Sequence, residues 1–457
     1  MPQRTPSGSV VLDINAGNPA AQPAAEIFKA RRDDPFRMLI LGDFSGNTPR
    51  SVAGKQPQRI DRDNFDEVLR KFCVRIPALN LTISELADFE PDSLFRQCEA
   101  FRALAPSPRH KKEERPAFSS ADVMESQAAR LATGSLLDEI VEQADAAQTG
   151  RRTRDQLQSF VERAVAPHLV RHEDTATVDE SACQRLMRAI LHNPQFQALE
   201  GAWRGLDLLT RRLDTDGGLS IHILDVSKKE IAEDLTKNGD QLYRLLVQET
   251  VETPGGQPWA VIIGNYVFGR SAEDAELLAR LATLARKAQA PFIGEAEPPA
   301  ENGVEWEALR KNPDAGWIGL ALPRFLSRLP YGRATYTIES FGFEEIDGAP
   351  RHSDFLWTNP AFACGLLLGR SYNNLGWNFR PGTDREIDGL PYFTLEREGE
   401  TQAQPCAEVL LTDSEIDSLH EQGLMALASM KNRGAVFLMR FHSIAEPLSA
   451  LAGRWQD

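Results

Sequence analysis

Gly42-Asp-Phe-Ser-Gly46 follows the apolar run Phe36-Arg-Met-Leu-Ile-Leu41, which is where phosphate-binding turns sit at the mouth of a parallel sheet. A phosphate cradle needs the glycines of G-x-G-x-x-G or the Gly-Lys-Ser/Thr end of a P-loop, and this segment has neither. Nor is it a nucleophile elbow, because Ser45 stands directly before the second glycine. A turn stabilised by Asp43 is the reading these residue types favour. The alternative is an α/β enzyme or binding protein that holds an anionic ligand at Gly42–Gly46.

The other reactive side chains are weaker candidates. His168 and His172 would share one helix face, but Leu169 stands where a zinc peptidase carries its general-base glutamate. The remaining histidines (His110, His192, His222, His352, His420 and His442) are scattered, with no evident nucleophile beside them. Glu295, Glu297, Glu301, Glu305 and Glu307 are interrupted by Pro298 and Pro299, which spoils calcium-loop spacing, so a solvated loop is expected. Glu344 and Glu345 on a strand would point to opposite faces. No catalytic, cofactor or metal residue is assigned, and no enzyme is expected.

Composition narrows the class further. The 457 residues carry 51 Lys+Arg against 66 Asp+Glu, a net charge of −15, which repels phosphate backbones and argues against nucleic-acid binding. Five cysteines without a C-x-x-C pair disfavour a disulfide framework and favour a reducing compartment. No run approaches the roughly 20 apolar residues that span a bilayer, and Met1-Pro-Gln-Arg4 opens no secretory signal. A cytoplasmic protein that avoids membranes is expected.

The elements that must position these residues read as α/β. Residues 1–35 form an extended arm whose strand-like run Val10-Val-Leu-Asp-Ile14 needs a pairing partner. Residues 36–105 read as a small α/β domain, with a strand at Phe36–Leu41, a helix at Phe65–Phe72 capped by Asp63 or Asn64, a strand through Leu79, Leu81 and Ile83, and a helix after Glu90. Residues 106–175 read as a Pro-rich linker and helical connector. From residue 176 to 457, helices at 179–191, 196–213, 228–251 and 271–288 alternate with strands at 219–226, 259–264, 292–293, 317–322 and 435–441. Strands separated by amphipathic helices predict a mixed, largely parallel sheet covered on both faces.

Several segments, in order along the chain, resemble a known family. Phe36-Arg-Met-Leu-Ile-Leu-Gly-Asp-Phe-Ser-Gly46, Ile60-Asp-Arg-Asp-Asn-Phe-Asp-Glu-Val-Leu69 and Leu86-Ala-Asp-Phe-Glu-Pro-Asp-Ser-Leu94 resemble the small subunit of the type VI secretion contractile sheath (TssB/VipA-like). Ile190-Leu-His-Asn-Pro-Gln-Phe-Gln-Ala-Leu-Glu-Gly-Ala-Trp-Arg-Gly-Leu206 resembles a hallmark of the large subunit (TssC/VipB-like), as do Leu224-Asp-Val-Ser-Lys-Lys-Glu230, Ala290-Pro-Phe-Ile293, Leu320–Gly332, Phe355-Leu-Trp357 and Gly376-Trp377.

The resemblance implies a structural, non-enzymatic sheath component with fused small and large portions. Its implied partners are sheath small and large subunits or copies of itself, with tail tube, baseplate and disassembly ATPase as further ones. In that family, protomers are stitched by strands donated from arms, which makes Val10, Val11, Leu12 and Ile14 the candidate interface residues. In the same context Arg324 and Arg328 read as cations pairing with the acidic surface, and Trp203 and Trp357 as core or interface anchors.

Two departures qualify the resemblance. The subunits are normally separate chains, and fusion removes the free amino terminus of the large portion near the helix that the ATPase reads. The family's large subunit also continues beyond the region matching Ala435–Leu438, whereas this sequence stops at Asp457. The variant expected from that difference is a cap or assembly modulator that docks on a sheath without propagating it.

Overall fold

Phe36-Arg-Met-Leu-Ile-Leu-Gly42 is apolar on both faces, and a strand of that kind is stable only where both faces are covered. The computed structural model describes residues 29–46, 51–76, 79–104, 180–236, 240–299, 306–397, 400–431 and 433–455, and it gives this strand a central place. The main sheet contains β1 (Phe36–Gly42), β2 (Gln58–Ile60), β3 (Leu219–Asp225), β4 (Val261–Phe268), β5 (Phe292–Ala296), β6 (Ile318–Leu322), β7 (Glu386–Ile387), β8 (Met425–Ser429) and β9 (Val436–Leu438). Their spatial order is β7-β9-β8-β6-β5-β4-β1-β3-β2. Pairing is parallel from β8 through β6, β5, β4 and β1 to β3. It is antiparallel at both margins, where β2 joins β3 and the β8-β9-β7 group closes the other side. The chain is therefore α/β with a mixed, largely parallel sheet. Strands from before and after the connector lie side by side in it.

Helices α1 (Phe65–Phe72), α2 (Pro91–Gln97), α3 (Glu99–Leu104), α4 (Glu180–Leu191), α5 (Pro194–Arg212), α6 (Lys228–Thr236), α7 (Ala272–Ala288), α8 (Pro360–Leu375) and α9 (Asp413–Glu421) surround it. Side chains alternate along the strands. Met38, Ile40, Ile223 and Ile263 face α5 and α8, while Leu39, Leu41, Leu224 and Ile262 face α6, α7 and a π-helical segment at Arg244–Glu252. Helix α5 starts where the sequence signals it: Asn193 Oδ1 accepts from the Gln195 and Phe196 amides, and Pro194 occupies the first turn.

Some elements differ from expectation. The helix anticipated over 228–251 is present as α6 and a separate segment beginning at Gln241, where the Leu242 amide donates to Asp234. The helix after Glu90 is divided at Cys98, whose backbone is extended. Helix α8 carries no amphipathic period because it is buried all round from Pro360 to Gly369, so periodicity could not announce it. The arm residues Val10, Val11, Leu12 and Ile14, and the connector with His168 and His172, lie outside the described residues.

The corner where the chain enters β1 is clamped. The Ala30 amide donates to the Arg454 carbonyl at 2.9 Å, and Arg454 Nη2 meets Asp34 Oδ2 at 2.5 Å. Trp377 Nε1 donates to the Asp34 carbonyl at 2.7 Å, and the Phe36 ring packs 4.8 Å from Tyr372 and 5.4 Å from Trp377.

Glycines set the approach of α5 to α8 and of α8 to the sheet. A Cβ at Gly205 would lie 2.8 Å from the Phe362 ring, and one at Gly365 would meet Ile263 at 3.3 Å. Gly205→Ala is expected to destabilise the fold by about 1–3 kcal/mol, because overpacking outweighs the helix propensity gained. Urea unfolding measures the loss, and Phe362→Leu in the same chain should recover part of it.

Candidate functional site

The parallel strands place one crevice where a ligand would be expected. The chain runs from β3 across β1 to β4, so the carboxyl ends of these strands flank a topological switch point, and the turn 43–46 lies there. Its donors are already engaged. The Phe44 and Ser45 amides donate to Asp225 Oδ1 at 2.8 and 3.2 Å, and Ser45 Oγ donates to Asp225 Oδ2 at 2.7 Å. The Gly46 amide donates to Asp43 Oδ1 at 3.0 Å, with Gly46 in the left-handed region at φ +64°. Asp225 thus occupies the position an anion would take. Glu230, held by Lys55 at 2.7 Å and by Ser227, adds a further acid nearby. Loss of solvation and the neighbouring Asp225 charge push the Asp43 carboxyl up to about 6, although its outer side reaches solvent. An incoming phosphate would meet three carboxylates, with the Phe44, Ser45 and Gly46 amides and the Ser45 hydroxyl already engaged. The anion-binding alternative is therefore not favoured.

The second cluster lies under the Leu320–Gly332 segment. Arg328 is buried and bridges two buried acids. Its Nε donates to Glu200 Oε1 at 2.8 Å, and its Nη1 and Nη2 donate to Glu345 at 2.8 and 3.1 Å. Arg204 also donates to Glu200 at 2.7 Å, and the Tyr331 amide donates to Glu345 at 2.7 Å. Arg328 further lies 4.3 Å over the Tyr331 ring. Burial alone would raise the Glu345 carboxyl, but Arg328 and His192 bring it down to about 2. Two guanidiniums thus balance two carboxylates in the interior, each with hydrogen-bond partners. Such a network fixes geometry and offers no open position to a substrate.

This corrects the expectation that Arg328 pairs with the acidic surface: its partners are interior acids. Arg324 pairs with Glu408 at 2.5 Å and lies 3.7 Å from Glu295. Glu295 is not in a solvated loop either. It lies within β5, one residue from its end, and is buried, and burial raises its carboxyl to about 8 against the opposing pull of Arg324. Glu344 and Glu345 are not on a strand, and they diverge because the chain bends: Glu344 accepts from the Arg333 amide, while Glu345 turns inward.

The segment Glu200-Gly201-Ala202-Trp203-Arg204-Gly205 is accounted for by packing. Glu200 and Arg204 feed the ion network. A Cβ at Gly201 would lie 3.1 Å from the Trp357 carbonyl oxygen, and Gly205 faces Phe362. Trp203 is fully buried, donates to the Phe44 carbonyl at 2.9 Å and meets the rings of Phe44, Phe65 and Phe72 at 5.8, 5.7 and 5.9 Å. It therefore fastens the chain after the connector to the chain before it. Trp357 is buried in a small cluster with Phe355 and Leu326. Among the described residues no group of three or more His, Cys, Asp or Glu side chains could hold a metal, and no helix is long and apolar enough to cross a membrane.

Comparison with known proteins finds two family matches along the chain. Residues 28–111 match the family model described as type VI secretion system, VipA. Residues 172–301 and 299–445 match VipB, the tail sheath N-terminal domain. The type VI secretion system sheath protein TssC1 of Pseudomonas aeruginosa is 30% identical over 341 residues, covering 65% of this chain and 68% of that protein. A chain in the cryo-EM structure of the anti-feeding prophage baseplate aligns at a TM-score of 0.30 with 12% identity, over 54% of this chain and 50% of that one. This chain thus spans about half the length of that baseplate chain.

Two measurements check the buried charges. Arg328→Met should destabilise by about 3–5 kcal/mol in chemical denaturation by leaving Glu345 buried without its guanidinium and Glu200 with Arg204 alone, and adding Glu345→Gln should restore most of the loss. Glu295 has a folded pKa of about 8, above its ordinary 4.5, so its contribution is full below pH 4.5 and is lost as pH rises through 8. Glu295→Gln should therefore gain stability relative to the parent as pH is raised from about 5 to about 8.5; a constant difference across that range would refute the assignment.

Proposed function

Because the chain belongs to the type VI secretion tail-sheath family, with small- and large-subunit portions in one polypeptide, we propose that it serves as a fused protomer that packs into a contractile sheath. It is a structural sheath component, and the observation that carries the protomer reading is the order of the two family matches along one chain. The portions are taken as 36–105 and 176–457, joined by the connector 106–175. Covalent linkage holds them at high effective concentration and fixes their ratio at one to one. The engaged turn at Gly42–Gly46 and the closed ion network at Arg328 support work done through surfaces instead of a reactive pocket.

The proposed partners are sheath subunits or copies of this chain, meeting in the cytoplasm, with tail tube, baseplate and disassembly ATPase as further contacts. The arm residues Val10, Val11, Leu12 and Ile14 are proposed to add as a strand to a neighbour's sheet edge.

Expression alone and with a separate small/large sheath pair, followed by electron microscopy, tests this. Tubes formed by the chain alone, or its incorporation along mixed tubes, would confirm a polymerising protomer. Binding only at tube ends, with growth arrested at substoichiometric amounts, would assign the capping role. A chain that stays monomeric and co-purifies with no sheath protein would overturn both. Val11→Asp with Ile14→Asp should abolish incorporation while leaving the circular dichroism spectrum unchanged.

A further inference from the structure

At the margin of the sheet, the turn before β7, the residues after β9 and the segment 448–450 enclose a cavity of about 400 Å³. Its exposed rim carries Arg385 and Arg440, and neither has a carboxylate partner among the described residues. The Arg385 guanidinium lies 5.0 Å over the Phe437 ring. Deeper in the cavity wall is His420, from the last turn of α9. It is only 4% exposed, and neither ring nitrogen has a hydrogen-bond partner. The His442 ring stands 5.4 Å away. Met439, Phe441 and Leu448 supply the apolar wall. Ser449 in the wall is held from behind: the Ser443 amide donates to its carbonyl at 2.9 Å, and the two hydroxyls lie 2.8 Å apart.

These features specify a ligand chemistry. Unpaired guanidiniums at a rim attract an oxyanion. Burial, then His442 and Arg440, keep the His420 pKa below its ordinary value against the pull of Asp417. A free inorganic anion would use the arginines and leave the apolar wall bare, whereas an acidic peptide would use both. The chain's net charge of −15 means that other copies, and acidic proteins generally, present such segments in abundance, while this rim is a local cationic exception.

We propose that the cavity docks an acidic peptide segment of a neighbouring polypeptide, with a carboxylate at Arg385 and Arg440 and an apolar side chain against Met439, Phe441 and Leu448. The proposal does not depend on the arm or on polymerisation. Calorimetric titration of the full chain at near-neutral pH and low salt tests it with three probes: an acetylated, amidated Asp-Phe-Glu-Leu peptide, its Asn-Phe-Gln-Leu analogue, and inorganic phosphate. The acidic peptide should bind at least about tenfold more tightly than the amide analogue, the scale of one charge-assisted hydrogen bond. Arg385→Gln with Arg440→Gln should erase that preference, and thermal unfolding should confirm that this exposed pair leaves the fold intact. Equal binding of the acidic peptide to parent and double variant, or no binding at millimolar peptide, overturns the proposal. Phosphate binding as tightly as the acidic peptide would assign the cavity to free anions and overturn it as well.

Discussion

A strand that is apolar on both faces and bonded on both edges cannot stand by itself, and β1 is such a strand. Its neighbours, β3 and β4, come from the far side of the connector, as do α5 and α8 against one face and α6 and α7 against the other. The portion before the connector therefore has no complete core without the portion after it. In a parallel sheet this dependence is strong, because each strand must find partners distant in sequence before any ladder bond forms. Trp203 against Phe44, Phe65 and Phe72 repeats the dependence at the level of side chains.

The buried charges follow from the same architecture. Glu200 rides on α5 and is turned inward, where a lone carboxylate would be costly. Arg328, with Arg204 beside it, makes the position tenable, and Glu345 completes the balance. The arrangement ties α5 to the segment 328–345 by directional bonds that hydrophobic packing would not specify. Whether interior ion pairs add stability or only uniqueness differs among proteins. Here the bonds fix one register between a helix and an irregular loop, a place where apolar contacts alone allow slippage.

Much of this was legible in the sequence where a local signal existed. The strands at 36–42, 219–225 and 318–322 are short apolar runs between turn residues, and α5 and α7 begin at Asn193-Pro194 and Ser271, whose side chains accept the first amides. Helix α8 was invisible for a physical reason, since burial on every side erases the period that would reveal it. The sharing of one sheet by residues on both sides of the connector was also hidden, because pairing of β1 with β3 joins positions that no local pattern links. The same holds for the candidate site. Asp43 was read as stabilising its turn and does so through Gly46, but Asp225 is the larger influence and lies 181 residues from Phe44. Arg328 looked like a surface group because charge type is local information and burial is not.

The clamp at Asp34 has a mechanical consequence. The entry to β1 is pinned by Arg454 and Trp377, and β1 then runs parallel to a strand on each side. A pull on the chain ahead of Asp34 enters along the strand axis, so the hydrogen bonds on both edges are loaded together in shear instead of opening one after another. Tension delivered there would be spread over the middle of the sheet, which makes the strand least able to stand alone a well-braced anchor for a tether.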